Sequence, residues 1–321
     1  MQKFIIKLLI FISPLVLFFG WWEHQLARIP NSYSTKIRLI GQAAFDCEVL
    51  VLGSSHGYMG INPSYFTQKG FSMANTSQSL YYDTEIVAHY LPRLPKLKCA
   101  IFPVSYFSLE GGMLTQGSES FRCPFYCRFY HLPAERWIDN CDIRNFSMVM
   151  LYGLTDSVRY LKKWFKVNLT EHLSENGYYE NNPDKNHENI SDEKGKIRVE
   201  FHTAGMTEAN IVYNRALLFR AIGLCKNAGV VPFLITTPVY HTYRDHMDHD
   251  KYDRMQKVIR DLCEKTGTKY FNYLDDPRFD IDDFSDNDHL NACGAEKFST
   301  ILDQEVLRHL EKNAVQNKTC P

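Results

Sequence analysis

The chain opens with a nearly uninterrupted apolar segment, Phe4 to Trp22, in which Lys7 and Ser13 are the polar residues. As a helix rising about 1.5 Å per residue, this segment is roughly 28 Å long, close to the ~30 Å hydrocarbon thickness of a bilayer. Two tryptophans close the segment, at the level where aromatic belts form in membrane proteins. The pattern therefore predicts one transmembrane helix.

A cleaved signal peptide is the competing interpretation of this segment. The residues after the apolar core, Gly20 to Glu23, offer no small-x-small cleavage site. We therefore predict an uncleaved anchor over residues 1–25, followed by one domain over residues 26–321. Because Lys3 and Lys7 precede the apolar core, the positive-inside rule places the domain on the extracytoplasmic side, although basic residues also follow the anchor.

Beyond the anchor, short apolar runs rich in β-branched residues alternate with segments whose apolar residues recur every three or four positions. The short runs predict buried strands, at Glu48–Leu52, Ala100–Val104, Val230–Thr236 and Lys269–Tyr273. The periodic segments predict helices, at Asp83–Leu94, Glu208–Asn227 and Tyr252–Lys265. Such alternation is typical of a parallel sheet with helices on both faces.

Residues 111–207 interrupt this alternation and are interpreted as a large insertion. Its first half is aromatic, which fits the packing of a lid or a glycan-docking surface. Residues 145–167 predict a helix or a helix pair, whereas residues 171–200 are polar and predict an exposed or partly disordered loop. A disulfide is an open alternative among the three cysteines that cluster in the insertion: Cys123, Cys127 and Cys141.

Composition excludes some classes of function. The formal net charge is −1, from 36 basic and 37 acidic residues, so there is no basic footprint for nucleic acid. The nine cysteines are scattered without the paired spacings of a structural zinc site. His and Asp residues crowd the segment 241–250, which we interpret as solvated surface rather than a set of metal ligands. We predict no metal and no cofactor.

Chemistry is suggested first by Gly53-Ser54-Ser55-His56-Gly57, directly after the first predicted strand. Glycine allows a tight turn there, and a serine hydroxyl can project into a cleft. On its own, the segment equally fits a strand-to-helix turn with a capping serine.

The second candidate is Asp286-Asn287-Asp288-His289, just before an apolar-faced helix. An Asp three residues before a His can bond the imidazole Nδ1 and leave Nε2 free to take a proton from a serine. We therefore predict Ser55 as nucleophile, His289 as base and Asp286 as the residue that orients the base. The alternative is that the acidic residues only cap the following helix.

A strand-end serine early in the chain and an Asp-x-x-His near its end resemble the SGNH (GDSL-like) hydrolase superfamily. Gly53-Ser54-Ser55 stands where that family has Gly-Asp-Ser. The resemblance implies a flavodoxin-like three-layer α/β/α fold with a parallel central sheet. With an N-terminal membrane helix, the chain is similar to membrane-anchored proteins that acylate cell-envelope polymers, such as D-alanine-transfer and alginate O-acetyltransferase proteins.

The chain departs from the family pattern at the second and third motifs. Asn75-Thr76-Ser77 stands where the family has Asn-x-Gly, so the backbone N–H of Ser77 replaces that of the oxyanion-hole glycine. The third motif lacks its asparagine donor, and Asn75 and Ser105 are candidate replacements. Four further residues are candidates for lining the substrate cleft: His56, Tyr106, Tyr240 and Arg244.

These features predict acyl transfer through an acyl-Ser55 intermediate, with water or a sugar hydroxyl as acceptor. The resemblance implies an exported polysaccharide as acceptor and a multispanning membrane partner that supplies acyl groups. Two alternatives remain: a plain carbohydrate or lipid esterase, and a non-catalytic glycan-binding or assembly factor with the same fold.

Overall fold

The central sheet has five parallel strands in the computed structural model, which describes residues 1–166, 172–180, 187–307 and 310. The strands are β1 Val49–Val51, β2 Gly70–Ser72, β3 Cys99–Pro103, β4 Val231–Thr236 and β5 Lys269–Asn272. Their order across the sheet is β2-β1-β3-β4-β5, and every neighbouring pair is parallel. This is the flavodoxin-like order, so the predicted fold class is confirmed.

Side chains alternate along each strand, so both faces of the sheet carry apolar residues. Helices cover both faces. Leu50 and Phe102 belong to a large apolar cluster that they share with Ile86, whereas Val51 and Ile101 belong to a second cluster. The first cluster holds the helices around residues 80–90, 210–227 and 249–266, and the second holds the helix that begins at residue 292. The result is three layers, with the sheet in the middle.

Twelve α-helices lie within the described residues. They are α1 Gln2–Ala27, α2 Ser32–Ala43, α3 Ser55–Gly60, α4 Leu80–Tyr90, α5 Cys123–Phe129, α6 Met148–Tyr152, α7 Leu154–Lys166, α8 Asp192–Thr203, α9 Asn210–Asn227, α10 His241–Arg244, α11 His249–Thr266 and α12 Ala292–Leu302. Short 3₁₀ turns lie at Pro63–Tyr65, Leu91–Arg93, Leu114–Gln116, Ser120–Arg122, Trp137–Cys141, Ile143–Asn145, His187–Asn189 and Ile281–Asp283, and a π turn at Asp303–Leu307.

Several elements were not predicted from the sequence, among them helices α2 and α5. Edge strand β2 has three residues and begins with Gly70, too short to show a period. Helix α8 begins within residues 171–200, predicted to be an exposed or partly disordered loop, and that prediction is wrong for residues 192–200. Residues 167–171 and 181–186 of the same insertion lie outside the described residues.

Part of the aromatic segment of the insertion packs into the core, whereas Phe121 and Trp137 are exposed. The ring of Tyr126 stacks on that of Tyr82, with centroids 3.8 Å apart, and meets Tyr33 edge-on at 5.0 Å. Tyr126 and Tyr130 are fully buried. This packing joins α5 to α2 and α4. The three cysteines considered for a disulfide are free thiols in this structure: Cys123, Cys127 and Cys141.

Helix α1 is long and apolar enough to cross a membrane, by length and composition. Beyond its apolar core it docks onto the insertion, where Leu26 packs with Met148 and Leu161. The Glu23 carboxylate accepts hydrogen bonds from the backbone N–H groups of Met148 (2.6 Å) and Val149 (3.1 Å), at the start of α6. It also pairs with Arg128, at the end of α5, at 3.0 Å.

A substitution at Gly294 tests the packing of α12 against the preceding segment, because a Cβ at this position would overlap the carbonyl oxygen of Asp283. We expect Gly294→Ala to lower the free energy of unfolding by about 2 kcal/mol, as overpacking does. Gly223→Ala, in helix α9 where nothing lies within 4 Å of the added carbon, is the matched control and is expected to be neutral or stabilising. Denaturant unfolding of the three proteins measures both effects, and equal midpoints would contradict the expectation.

Candidate active site

Ser55 is held at the carboxyl end of β1 by a tight turn. Gly53 has φ +101°, and a Cβ there would lie 3.0 Å from the Pro103 ring, so only glycine fits the turn without strain. The Gly53 N–H donates to Asp83 Oδ1 at 2.8 Å. Ser55 is the first residue of α3, where backbone N–H groups have no acceptor within the helix. The turn thus presents both a hydroxyl and a free amide.

His289 is placed by a loop that is fixed at both ends. Ser285 N–H donates to the carbonyl of His289 (2.9 Å), and Asn291 caps α12 by accepting from Gly294 N–H (2.9 Å). His289 Nε2 lies 2.8 Å from Ser55 Oγ. The two candidates that the sequence separates by more than two hundred residues are therefore in direct hydrogen-bond contact.

Asp286 lies on the other side of the imidazole. Its carboxylate oxygens are 2.9 and 3.0 Å from His289 Nδ1, and it also accepts the backbone N–H groups of Asp288 and His289. With Nδ1–H donating to Asp286, Nε2 is the acceptor for the Ser55 hydroxyl. The structure brings the three residues together in the order that the spacing predicted.

A second hydrogen-bonded chain runs beside the first and was not predicted. The buried carboxylate of Asp288 accepts from His56 Nε2 (3.1 Å) and from Arg198 Nε (2.9 Å). His56 Nδ1 in turn accepts from the Ser105 hydroxyl at 2.7 Å. Asp288 Oδ1 is also 3.6 Å from His289 Nδ1. A buried carboxylate therefore lies next to both imidazoles.

Charge and burial shift the pKa values of these groups in opposite directions. Burial lowers the pKa of His289, but the charges of Asp288 and Asp286 and the hydrogen bond to Asp286 outweigh it, so the pKa is raised from its usual value. Burial raises the pKa of Asp288, but His289, the His56 hydrogen bond and Arg198 hold it well below its usual range. Burial dominates at His56, whose pKa is lowered.

His202, also on α8, packs beside this network. Its Nδ1 is 2.6 Å from the Tyr243 hydroxyl, and burial lowers its pKa to about 3. Sequence reasoning missed both Arg198 and His202 because α8 is polar overall, although the spacing of four between them puts both on one side of a helix.

A cavity of about 530 Å³ opens over Ser55 and His289. Two parts of the insertion contribute to its wall: residues 111–114 and 116–119 with Arg122, and α8 with Arg198, Phe201 and His202. Phe107 and Ser77 also line it. The insertion therefore covers the site, but through its glycine-rich start and α8 rather than through the aromatic residues that follow Phe121.

The candidates for an oxyanion hole have different positions. Ser77 lines the cavity. Its φ of +56° lies in the left-handed region, which glycine adopts more readily than serine does. Asn75 is not part of the described cavity wall; its side-chain amide donates to the Tyr130 hydroxyl at 2.9 Å. Ser105 is also away from the wall, since its hydroxyl is bound to His56.

The remaining cleft candidates do not line the described cavity. His56 is buried under it in the Asp288 network, and the buried Tyr106 hydroxyl accepts from Asp248 N–H at 3.2 Å. Tyr240 packs against Phe284, and Arg244 pairs with Asp245 and Asp275. Tyr106, Tyr240 and Arg244 therefore serve packing and ion pairing instead of the cleft.

Metal binding was considered at two places. In the segment 241–250, His246 pairs with Asp192 (2.8 Å) and Asp248 caps α11, so these groups have partners of their own. His56, Asp288 and His289 have potential ligand atoms within 4.8 Å of one another. Each of these three side chains is already hydrogen-bonded, and Arg198 neutralises the carboxylate. The donor set therefore suits proton transfer better than metal coordination.

Comparisons with known proteins add little to this geometry. No protein-family model matches the chain, and no curated protein matches it. Two solved structures are similar: a putative acylhydrolase from Bacteroides fragilis NCTC 9343 (TM-score 0.39, 9% identity, covering 90% of this chain and 95% of that one) and a GDSL-like lipase from Bacteroides thetaiotaomicron VPI-5482 (0.40, 10%, 88% and 99%). Similarities this distant carry no information about activity.

The two carboxylates are expected to differ in their importance for stability. Asp288→Asn replaces one acceptor oxygen by an amide nitrogen, so either His56 or Arg198 faces a donor inside the protein, at a cost of about 1–3 kcal/mol in the free energy of unfolding. Asp286→Asn keeps an acceptor on a side chain that is 39% exposed and is expected to cost less than about 1 kcal/mol. Urea unfolding at neutral pH measures both; a larger loss for Asp286→Asn would refute this assignment.

Proposed function

We propose that the protein is a serine-dependent acyl-transfer enzyme with Ser55 as nucleophile, His289 as general base and Asp286 as its orienting carboxylate. The observation that carries the proposal is the continuous chain of hydrogen bonds from Ser55 Oγ through both imidazole nitrogens to Asp286, on the wall of a cavity. Nucleophile, base and orienter within hydrogen-bond reach are the signature of covalent acyl catalysis.

In the proposed mechanism, Ser55 Oγ attacks the carbonyl carbon of an acyl ester as His289 Nε2 takes the hydroxyl proton. The oxyanion faces the backbone N–H groups of Ser55 and Ser77. His289 then gives its proton to the departing alcohol, which leaves an acyl-Ser55 ester. The acceptor hydroxyl, from water or a sugar, loses its proton to His289 and attacks the acyl carbon, and Ser55 recovers its proton. Asp286 and Asp288 stabilise the transient imidazolium throughout.

For the finer function, we favour acyl transfer to an exported or cell-envelope polysaccharide, with acyl groups supplied by a multispanning membrane partner. The support is the apolar α1, which suits a single-pass anchor with the catalytic domain on the extracytoplasmic side, and the SGNH-like motifs. A plain carbohydrate or lipid esterase has the same acyl-enzyme chemistry. Two features argue against a purely non-catalytic glycan-binding factor. His289 and His56 are both hydrogen-bonded within the site, and the cavity above Ser55 is open.

A fluorophosphonate probe tests the nucleophile. We expect stoichiometric labelling of Ser55, none in Ser55→Ala, and a loss of at least about 1,000-fold in labelling rate in His289→Ala. Because the neutral imidazole is the base and its pKa is raised, the rate should rise with pH to a plateau whose midpoint lies above that of an ordinary histidine. Asp288→Asn removes a charge that raises this pKa, so the midpoint should move to lower pH.

The control for labelling is Ser118→Ala, which removes an exposed hydroxyl from the same cavity wall and should leave labelling unchanged. Labelling that survives in Ser55→Ala at the wild-type rate would eliminate Ser55 as the nucleophile, and a wild-type protein that is not labelled at all would favour a non-catalytic protein.

Transferase and hydrolase are distinguished by the acceptor. A transferase holds a sugar hydroxyl in line with the acyl carbon and gains an effective molarity that can reach about 10⁵ M. We expect an activated acetyl ester to give a burst of acylation, slow turnover in water, and acylated sugar once a polysaccharide fragment is added. Fast steady-state hydrolysis with no acylated sugar would instead establish the plain esterase.

The exposed aromatic ring of Phe201 offers a matched test of sugar binding at the cavity. Phe201 lines the cavity, whereas Ile197, one turn earlier on α8, does not, and both are 57% exposed. Phe201→Ala should lower the ratio of transfer to hydrolysis without changing the burst, because only acceptor binding is lost. Ile197→Ala should change neither. Point substitutions are used because deleting the insertion would remove Tyr126 and Tyr130 from the core.

A further inference from the structure

Large apolar side chains are exposed together where the insertion meets the anchor helix. Six of them lie within residues 143–166, in the turn before α6, in α6 and in α7: Ile143, Phe146, Met150, Leu154, Val158 and Phe165. We call these six residues the apolar surface. Soluble proteins rarely expose so much apolar area in one region unless something covers it.

Helix α7 has three distinct sides, given 3.6 residues per turn. Ser157 and Leu161 are buried against the protein. Leu154, Val158 and Phe165 fall on a second side, and all three are exposed. The basic side chains fall on a third side: Arg159, Lys162, Lys163 and Lys166. A helix with an exposed apolar strip beside a Lys- and Arg-rich strip is typical of helices that lie in a membrane interface.

The position of α6 sets the level of this surface relative to the anchor. Trp22 is the last residue of the apolar core, and the next residue, Glu23, accepts hydrogen bonds from the first amides of α6. The start of α6 therefore lies where α1 leaves the hydrocarbon. Phe146 and Met150 are each two residues from Met148, so both lie close to this point of α1.

We propose that the apolar surface inserts into the lipid headgroup region of the bilayer that α1 crosses, with the basic side of α7 contacting anionic headgroups. The proposal rests on the anchor proposed above. A bilayer is favoured as the occupant because the surface continues directly from a membrane-spanning helix and carries the charge that attracts anionic lipid. The domain would then lie against the membrane instead of hanging from a flexible tether.

The test uses the full chain reconstituted in vesicles of phosphatidylcholine and phosphatidylglycerol. Phe146→Trp places a fluorophore on the apolar surface. Phe219→Trp, on α9 and outside that surface, is the matched control, because both phenylalanines are more than half exposed, at 69% and 54%. The added fluorescence of each variant, relative to the parent, is measured with lipids brominated along the acyl chain and with aqueous iodide.

We expect the Phe146→Trp signal to be blue-shifted, to lose most of its intensity with brominated lipid and to resist iodide, while Phe219→Trp shows the reverse. Trp137 and Trp164 are replaced by Phe in all of these proteins, so that quenching of the remaining Trp21 and Trp22 by brominated lipid reports the anchor separately. If these are quenched but Phe146→Trp is quenched by iodide, the anchor stands and the inference fails. Protection of Phe146→Trp from both quenchers would mean that protein covers the surface, and would overturn the inference as well.

Discussion

The buried charge of Asp288 is the constraint on which the site depends. A carboxylate with no solvent contact is tolerated only when donors surround it. Here the donors come from α3 and from the insertion helix α8, and the His289 imidazole lies 3.6 Å away. The contacts around the Asp288 carboxylate therefore fix the relative positions of three segments that are distant in sequence. It also places His56 against His289, with ring centroids 5.2 Å apart, and gives the imidazole of His289 a rigid, negatively charged surrounding.

The same arrangement explains why two Ser–His–Asp chains coexist without being equivalent. The chain that ends at Ser55 opens to the cavity, whereas the chain that ends at Ser105 is closed, since Ser105 is buried and already bound to His56. Proton transfer to a substrate is available only at the first. The second chain holds the His289 loop and the charge of Asp288 in place. Point substitutions distinguish this structural role from catalysis, because they change the free energy of unfolding.

Much of the fold and the open chain could be predicted from the sequence, because both depend on local patterns. Apolar runs specify β1, β3 and β4, an aromatic run specifies β5, and the spacing of Asp286 to His289 allows their hydrogen bond. The partners of Asp288 could not be predicted in this way. Arg198 reaches it through a helix whose sequence is polar on most of its surface, and no local pattern indicates that a solvated-looking helix lies over a buried carboxylate. Asn75 and Tyr240 lie away from the described cavity wall, and their positions depend on tertiary packing that no local pattern indicates.

Helix α5 also fixes the distance between two parts of the molecule. Its seven residues join Arg122, on the cavity wall, to Arg128, which pairs with Glu23 near the end of α1. A helix of this length rises about 10 Å, and it cannot stretch or fold back as a flexible linker does. The cavity therefore keeps a constant separation from the end of α1, as two points on one rigid strut do.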